Sequence, residues 1–167
     1  QGSALMGKPV VFYMEGFGGF VGVLGHMEDI PQKCVARAAG KGANVVRKAI
    51  RREAPVFTGD LQRGIVRTGE RSRTKGKKAY EITFSASMND VFQRPIKNPG
   101  EAGGQSKYGY YPASMEYGFL TRSKGGGLSY VPGYHFMRHA AEASSAASKR
   151  EMVNALNDAI DKEWSKK

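Results

Sequence analysis

The sequence predicts an α+β domain: a small antiparallel β-sheet packed against two main helices, a basic N-terminal one from Pro31 to Glu53 and a long C-terminal one from Phe136 onward. Three patterns predict it. The segment up to Glu53 carries small and aliphatic residues at helical spacing, "KKAYEITFSAS" alternates with the period of a strand, and the chain beyond Phe136 is alanine-rich and then periodic. A length of 167 residues suits a single core, so residues 6–167 read as one domain. The leading "QGSALM" looks like what a cleaved affinity tag leaves before Met6, and residues 1–5 are set aside as a tag remnant.

From Pro9, "PVVFYMEGFGGFVGVLG" places β-branched and aromatic residues on either side of a glycine break, which predicts a hairpin. Glu28-Asp29-Ile30-Pro31 then signals a helix start. In that helix Val35, Ala39, Gly42, Val46 and Ala49 share one stripe, while Arg37, Lys41, Lys48 and Arg52 make the other face basic. Like charges four residues apart and two glycines, Gly40 and Gly42, weaken the helix in isolation, so packing on the small-residue stripe must hold it.

Pro55 stops this helix, because the residue before a proline is pushed out of the α region. Thr58, Gly59 and Asp60 supply a turn, after which Leu61 and Ile65 re-enter the core. Gly64 to Thr68 is expected to pair with the strand that holds Tyr80, Ile82, Phe84 and Ala86 on one face. Between them, Arg67 to Lys78 holds six basic residues and one acid, which suits an exposed hairpin loop. "FQRPIKNPGEAGGQSKYGYY" reads as irregular, and "LTRSKGGGLSYVPGYHF" as a glycine tip with strand-like arms. In the last helix Val153, Leu156, Ile160 and Trp164 form the stripe, interrupted by Ser144, Ser145, Ser148, Lys149 and Arg150.

Charge and composition limit the chemistry. A formal net charge of +11 favours a polyanion or an acidic protein surface as partner. The single cysteine, Cys34, cannot close an internal disulfide and reads as a small buried residue on the helix stripe. No apolar run approaches the ~20 residues that span a bilayer, so no membrane partner is expected. "GSALMGK" has phosphate-loop spacing, but Pro9 stands where a magnesium-binding Ser or Thr belongs. His135 and His139 have the spacing of a zinc pair but lack the intervening glutamate; helix-start hydrogen bonding or an interface role is preferred, and neither a metal nor a cofactor is expected. Tyr108, Tyr110, Tyr111 and Tyr117, near Lys107 and Arg122, could stack on bases or bury area at a protein interface, and the interface is the preferred reading.

"APVFTGDLQRGI", Ala54 to Ile65, resembles the "aPv-TG-Lr-sI" signature of a family of tail-component proteins of long-tailed phages, typified by gene product ten of a lambdoid siphophage. "YYPASMEYGF" is similar to that family's "YA-yvEfGT", with Glu116, Tyr117 and Gly118 in matching places. "VPGYHFMRHAA" is similar to its "aHPFlrPA", with Phe136, Arg138 and Ala140 matching. The resemblance spans residues 28 to 165; Gly64, Phe119, Tyr134-His135 and His139 depart from the pattern, and Met6 to Leu24 reads as an addition.

The resemblance implies a non-enzymatic structural protein of the virion neck, made in the bacterial host cytoplasm. There it would self-associate into a ring and contact other neck and tail proteins in head–tail joining or tail completion. No catalytic residue comes with the family. Pro55, Thr58, Gly59, Leu61, Glu116, Gly118, Phe136 and Arg138 are the motif positions expected to be structural. Arg71, Arg73, Lys75, Lys77 and Lys78 are expected to meet an acidic neighbour or, non-specifically, DNA in the ring lumen, and Tyr117 and Phe119 to pack against another subunit. The alternative is a sequence-independent nucleic-acid-binding protein that uses the same basic loop.

Overall fold

A computed structural model describes residues 32–71, 76–96, 107–122 and 125–165. The hairpin expected from Pro9, the helix start at Glu28 to Pro31, and the loop residues Arg73 and Lys75 lie outside the described residues, as does the side chain of Trp164. The order is α1 (Gln32–Glu53), α2 (Asp60–Gly64), β1 (Ile65–Gly69), β2 (Tyr80–Phe84), a 3-10 turn (Ala86–Met88), α3 (Asn89–Phe92), β3 (Gln93–Pro95), β4 (Tyr108–Tyr110), α4 (Tyr111–Tyr117), β5 (Gly118–Arg122), β6 (Leu128–Pro132) and α5 (Phe136–Trp164). The fold is α+β.

Among the described residues the β structure is divided into three antiparallel two-stranded hairpins, β1-β2, β3-β4 and β5-β6. Ile65 faces Phe84 and Gly69 faces Tyr80, one residue along from the expected start at Gly64. The stretch expected to be irregular is zipped at its base, where Gln93 pairs with Tyr110 and Pro95 with Tyr108. The arms around the glycine tip pair as expected, from Gly118 opposite Pro132 to Arg122 opposite Leu128.

The body is built on α1 and α5. Val46, Ala49 and Ile50 near the end of α1 pack with Phe136, Met137 and Ala140 at the start of α5, joined by Leu61, Ile65 and Ile82. Cys34 and Ala38 at the other end of α1 pack with Ala155, Leu156 and Ala159, so the two helices run antiparallel. In the middle a Cβ on Gly42 would collide with the Met152 side chain, and Ser148 Oγ donates to the Gly42 carbonyl at 3.1 Å. Gly42 therefore makes room for the Met152 and Ser148 side chains of α5.

This seam shifts the expected stripe of α5. Its buried line includes Ser144, Ser148, Met152, Ala155, Leu156 and Ala159, whereas Val153 and Ile160 are only half-buried. The serines do not interrupt the stripe. Ser144 Oγ bonds back to the Ala140 carbonyl at 2.7 Å, so two small hydroxyls are buried with their hydrogen bonds satisfied.

A second small core lies beside the first hairpin. Phe92 is fully buried and meets Phe84 and Tyr110 edge-on, with centroids 5.7 and 6.0 Å away. A Cβ on Gly64 would enter the Phe92 ring, which explains the glycine at a position where the resembled pattern has serine.

Candidate functional site

The "APVFTGDLQRGI" stretch resolves into a stop, a knuckle and a short helix. α1 ends at Glu53, two residues before Pro55. Gly59 adopts φ 79°, and Thr58 Oγ1 both donates to the Asp60 carboxylate and accepts from the Asp60 backbone N–H at 3.4 Å. Arg63 pairs with Asp60 one turn later, and Leu61 is buried. Those hydrogen bonds, Thr58 first, hold the Asp60 carboxyl below its ordinary range. Between Pro55 and Thr58 the chain turns its side chains outward: Val56 is exposed and Phe57 is 93% exposed. Sequence reading treated this stretch as scaffold and missed Phe57; a turn without room to fold its apolar residues back was the available signal.

Glu116 has a structural role. It is 1% exposed, and its carboxylate accepts from the backbone N–H groups of Met137 at 2.9 Å and Arg138 at 3.2 Å. These are first-turn donors of α5, which have no partner within their own helix. A buried negative charge at a helix N-terminus also meets the positive end of the helix dipole. The adjoining backbone is stitched as well: Tyr134 N–H donates to Met115 and His135 N–H to Glu116, at 2.7 and 3.1 Å. Arg138 therefore enters this junction through its main chain, while its guanidinium reaches Glu142 at 3.2 Å.

Gly118 and Gly133 form the base of the β5-β6 hairpin. Gly118 has φ 84°, and a Cβ there would strike the Val131 carbonyl and Gly133 nitrogen; one on Gly133 would strike Glu116 and Gly118 backbone atoms. From that base the hairpin stands away from the body. Phe119 and Leu120 are 47% and 48% exposed although neighbouring strand residues point to opposite faces. Leu128, Tyr130 and Val131 are exposed too, and Tyr117 and Tyr134 extend the apolar surface at its base. Tyr130 hydroxyl donates to the Tyr117 carbonyl. Burial, then the Glu116 charge, pushes the Tyr117 phenol above its ordinary pKa. The hairpin and its base bring Tyr117 and Phe119 together with five further exposed apolar side chains, Leu120, Leu128, Tyr130, Val131 and Tyr134.

The basic loop is tied to α1 at its base. Gln32 Nε2 donates to the Lys77 carbonyl at 2.8 Å, and Gly76 N–H donates to Gln32 Oε1 at 2.8 Å. Lys77 and Arg71 are exposed, whereas Lys78 donates to the Glu70 carbonyl and sits 5.6 Å from the Tyr80 ring centre. Arg67 leaves the loop for the interior, lying over Tyr80 at 4.5 Å and donating to the Gly40 carbonyl. Among the described residues, Arg71 and Lys77 are exposed on the basic loop, and Tyr117 is exposed at the base of the apolar hairpin.

His135 and His139 stand edge-on with ring centres 6.2 Å apart, and His135 has φ 51°, so it begins α5 in the left-handed region. Among the described residues no group of three or more His, Cys, Asp or Glu side chains is placed to hold a metal ion. Cys34 is buried, with Sγ 3.6 Å from the Ala159 carbonyl. No described helix is long and apolar enough to cross a membrane.

No curated protein and no solved structure matches this chain. Residues 24–91, which include α1, the proline turn and the first hairpin, match the model of the family described as "Bacteriophage HK97-gp10, putative tail-component", the tail-component family that the sequence motifs resemble.

Proposed function

We propose that this chain is a structural, non-enzymatic subunit of a phage or prophage virion, acting at the neck as a ring-forming component in head–tail joining or tail completion. The β5-β6 hairpin carries this reading. A two-stranded hairpin with both faces in water is marginal by itself. Covering Phe119, Leu120, Leu128, Tyr130 and Val131 against a neighbouring subunit would bury each side chain's remaining apolar surface at about 25 cal/mol per Å². Tyr117 and Tyr134, at the hairpin base, suit the rim of such a contact because tyrosine combines area with a polar tip.

In this reading Arg71, Lys77 and Lys78, together with Arg73 and Lys75, present positive charge to an acidic neighbour or to the phosphates of passing DNA. Such contact needs no sequence recognition. Electron microscopy of the assembled virion tests the placement: density for this chain at the neck is expected, and its absence there refutes the proposal. Substitution Leu120→Asp is expected to abolish ring assembly while the isolated chain keeps its helical content.

A further inference from the structure

Arg47, Arg51 and Arg67 lie where α1 crosses β1. Arg47 and Arg51 are on successive turns of α1, and Arg67 comes across from the strand. Arg51 donates from Nε and Nη2 to the Ile65 carbonyl at 3.1 and 2.8 Å, and Arg67 donates to the Gly40 carbonyl. These bonds lash the helix to the hairpin. Carbonyls carry no net charge, however, and the ion pairs among the described residues, Asp60 with Arg63 and Glu142 with Arg138, leave all three guanidiniums uncompensated.

Arg47 is the member without a structural task. Its Nε is buried and has no hydrogen-bond partner among the described residues. A buried donor left unpaired is costly, and a group of that kind calls for an explanation. Burial, and then repulsion from Arg51 and Arg67, lowers the Arg47 pKa from its ordinary value. Both effects favour an anion at this place.

We propose that Arg47, supported by Arg51 and Arg67, forms a binding site for a phosphate group. Guanidinium presents a planar fork that matches phosphate oxygens two at a time. Three uncompensated cations suit a phosphate, with charge approaching −2, better than a carboxylate with −1. The site lies where the helix meets the hairpin, at the base of the basic loop, since Arg67 and Lys78 share the Tyr80 ring, and it does not depend on where in the virion the chain resides.

The experiment titrates the full-length chain with inorganic phosphate at constant ionic strength, following the melting temperature and the Arg47 Nε–Hε resonance. Expected are a saturable rise in melting temperature and a shift of that resonance, with affinity reduced at least about tenfold in Arg47→Gln and by less in Arg47→Lys. Without phosphate, Arg47→Gln should be at least as stable as the parent, because a repelled charge and an unpaired donor are gone. A parent chain that does not respond, an Arg47→Gln variant that binds equally well or fails to fold, or acetate that acts as well as phosphate would each overturn the proposal. Once phosphate binds, displacement by a short oligodeoxynucleotide without terminal phosphates identifies the nucleic-acid backbone as its source. Retention of phosphate identifies free phosphate or a monoester.

Discussion

Replacing Glu116 tests the best-defined polar junction of the fold. In Glu116→Ala two first-turn amides of α5, those of Met137 and Arg138, lose an acceptor in a buried setting. Charge-assisted hydrogen bonds contribute about 1.5–3 kcal/mol each, and a carboxylate at a helix N-terminus adds ~0.3–1 kcal/mol. Against this, burying the ionised carboxylate carries a desolvation cost that the substitution removes. The net loss expected is about 3–4 kcal/mol, or roughly 6–16 °C in melting temperature for a domain of this size. Glu116→Gln keeps one carbonyl acceptor but no charge, and should lose about 1–2 kcal/mol. Urea unfolding followed by far-ultraviolet circular dichroism measures both variants, and hydrogen exchange at the Met137 and Arg138 amides reports the site itself. An alanine variant within ~0.5 kcal/mol of the parent, with unchanged protection at those amides, would refute this account of the cap.

Three further perturbations probe other parts of the framework. Gly42→Val should destabilise by about 2–3 kcal/mol in the same urea assay, because its side chain must displace Met152 and Ser148 from the helix seam. Gly118→Ala combines positive φ with a collision against the Val131 carbonyl, so a loss of about 2 kcal/mol or more and broadened β5-β6 amide resonances are expected. The Asp60 carboxyl should titrate below its ordinary value of 3.8 by NMR, and Thr58→Ala should move it upward. A carboxyl whose folded-state value is depressed contributes stability that is complete above the unfolded value. Asp60's share is thus present above about pH 3.8 and disappears as pH falls through its lower folded-state value.

On α1 and the first hairpin the amino-acid pattern revealed the buried face. Val35, Ala39, Gly42, Val46 and Ala49 are all buried on α1, and Tyr80, Ile82 and Phe84 do face the body, because spacing of 3.6 or 2 records which side leaves water. The helix stop before Pro55 and the turn at Gly59 were equally legible, since both follow from backbone sterics within a few residues. The candidate surfaces were only half legible. Net charge and the run from Arg67 to Lys78 announced a basic surface, yet Arg67 turned inward, where Arg47 and Arg51 of α1 join it.

By itself, then, the sequence determined the charge, the two long helices, the first hairpin and the points where the chain must turn. Tertiary structure decided that Glu116 caps a helix that begins twenty residues later, that Ser144 and Ser148 belong to the core, that Gly64 makes room for Phe92, and that the β5-β6 hairpin leaves both faces exposed. Local periodicity reports that a side is buried; it carries no information about which distant group covers it. Capping, close approach and exposure of an arm are properties of pairs of segments, and they come into being only when those segments meet.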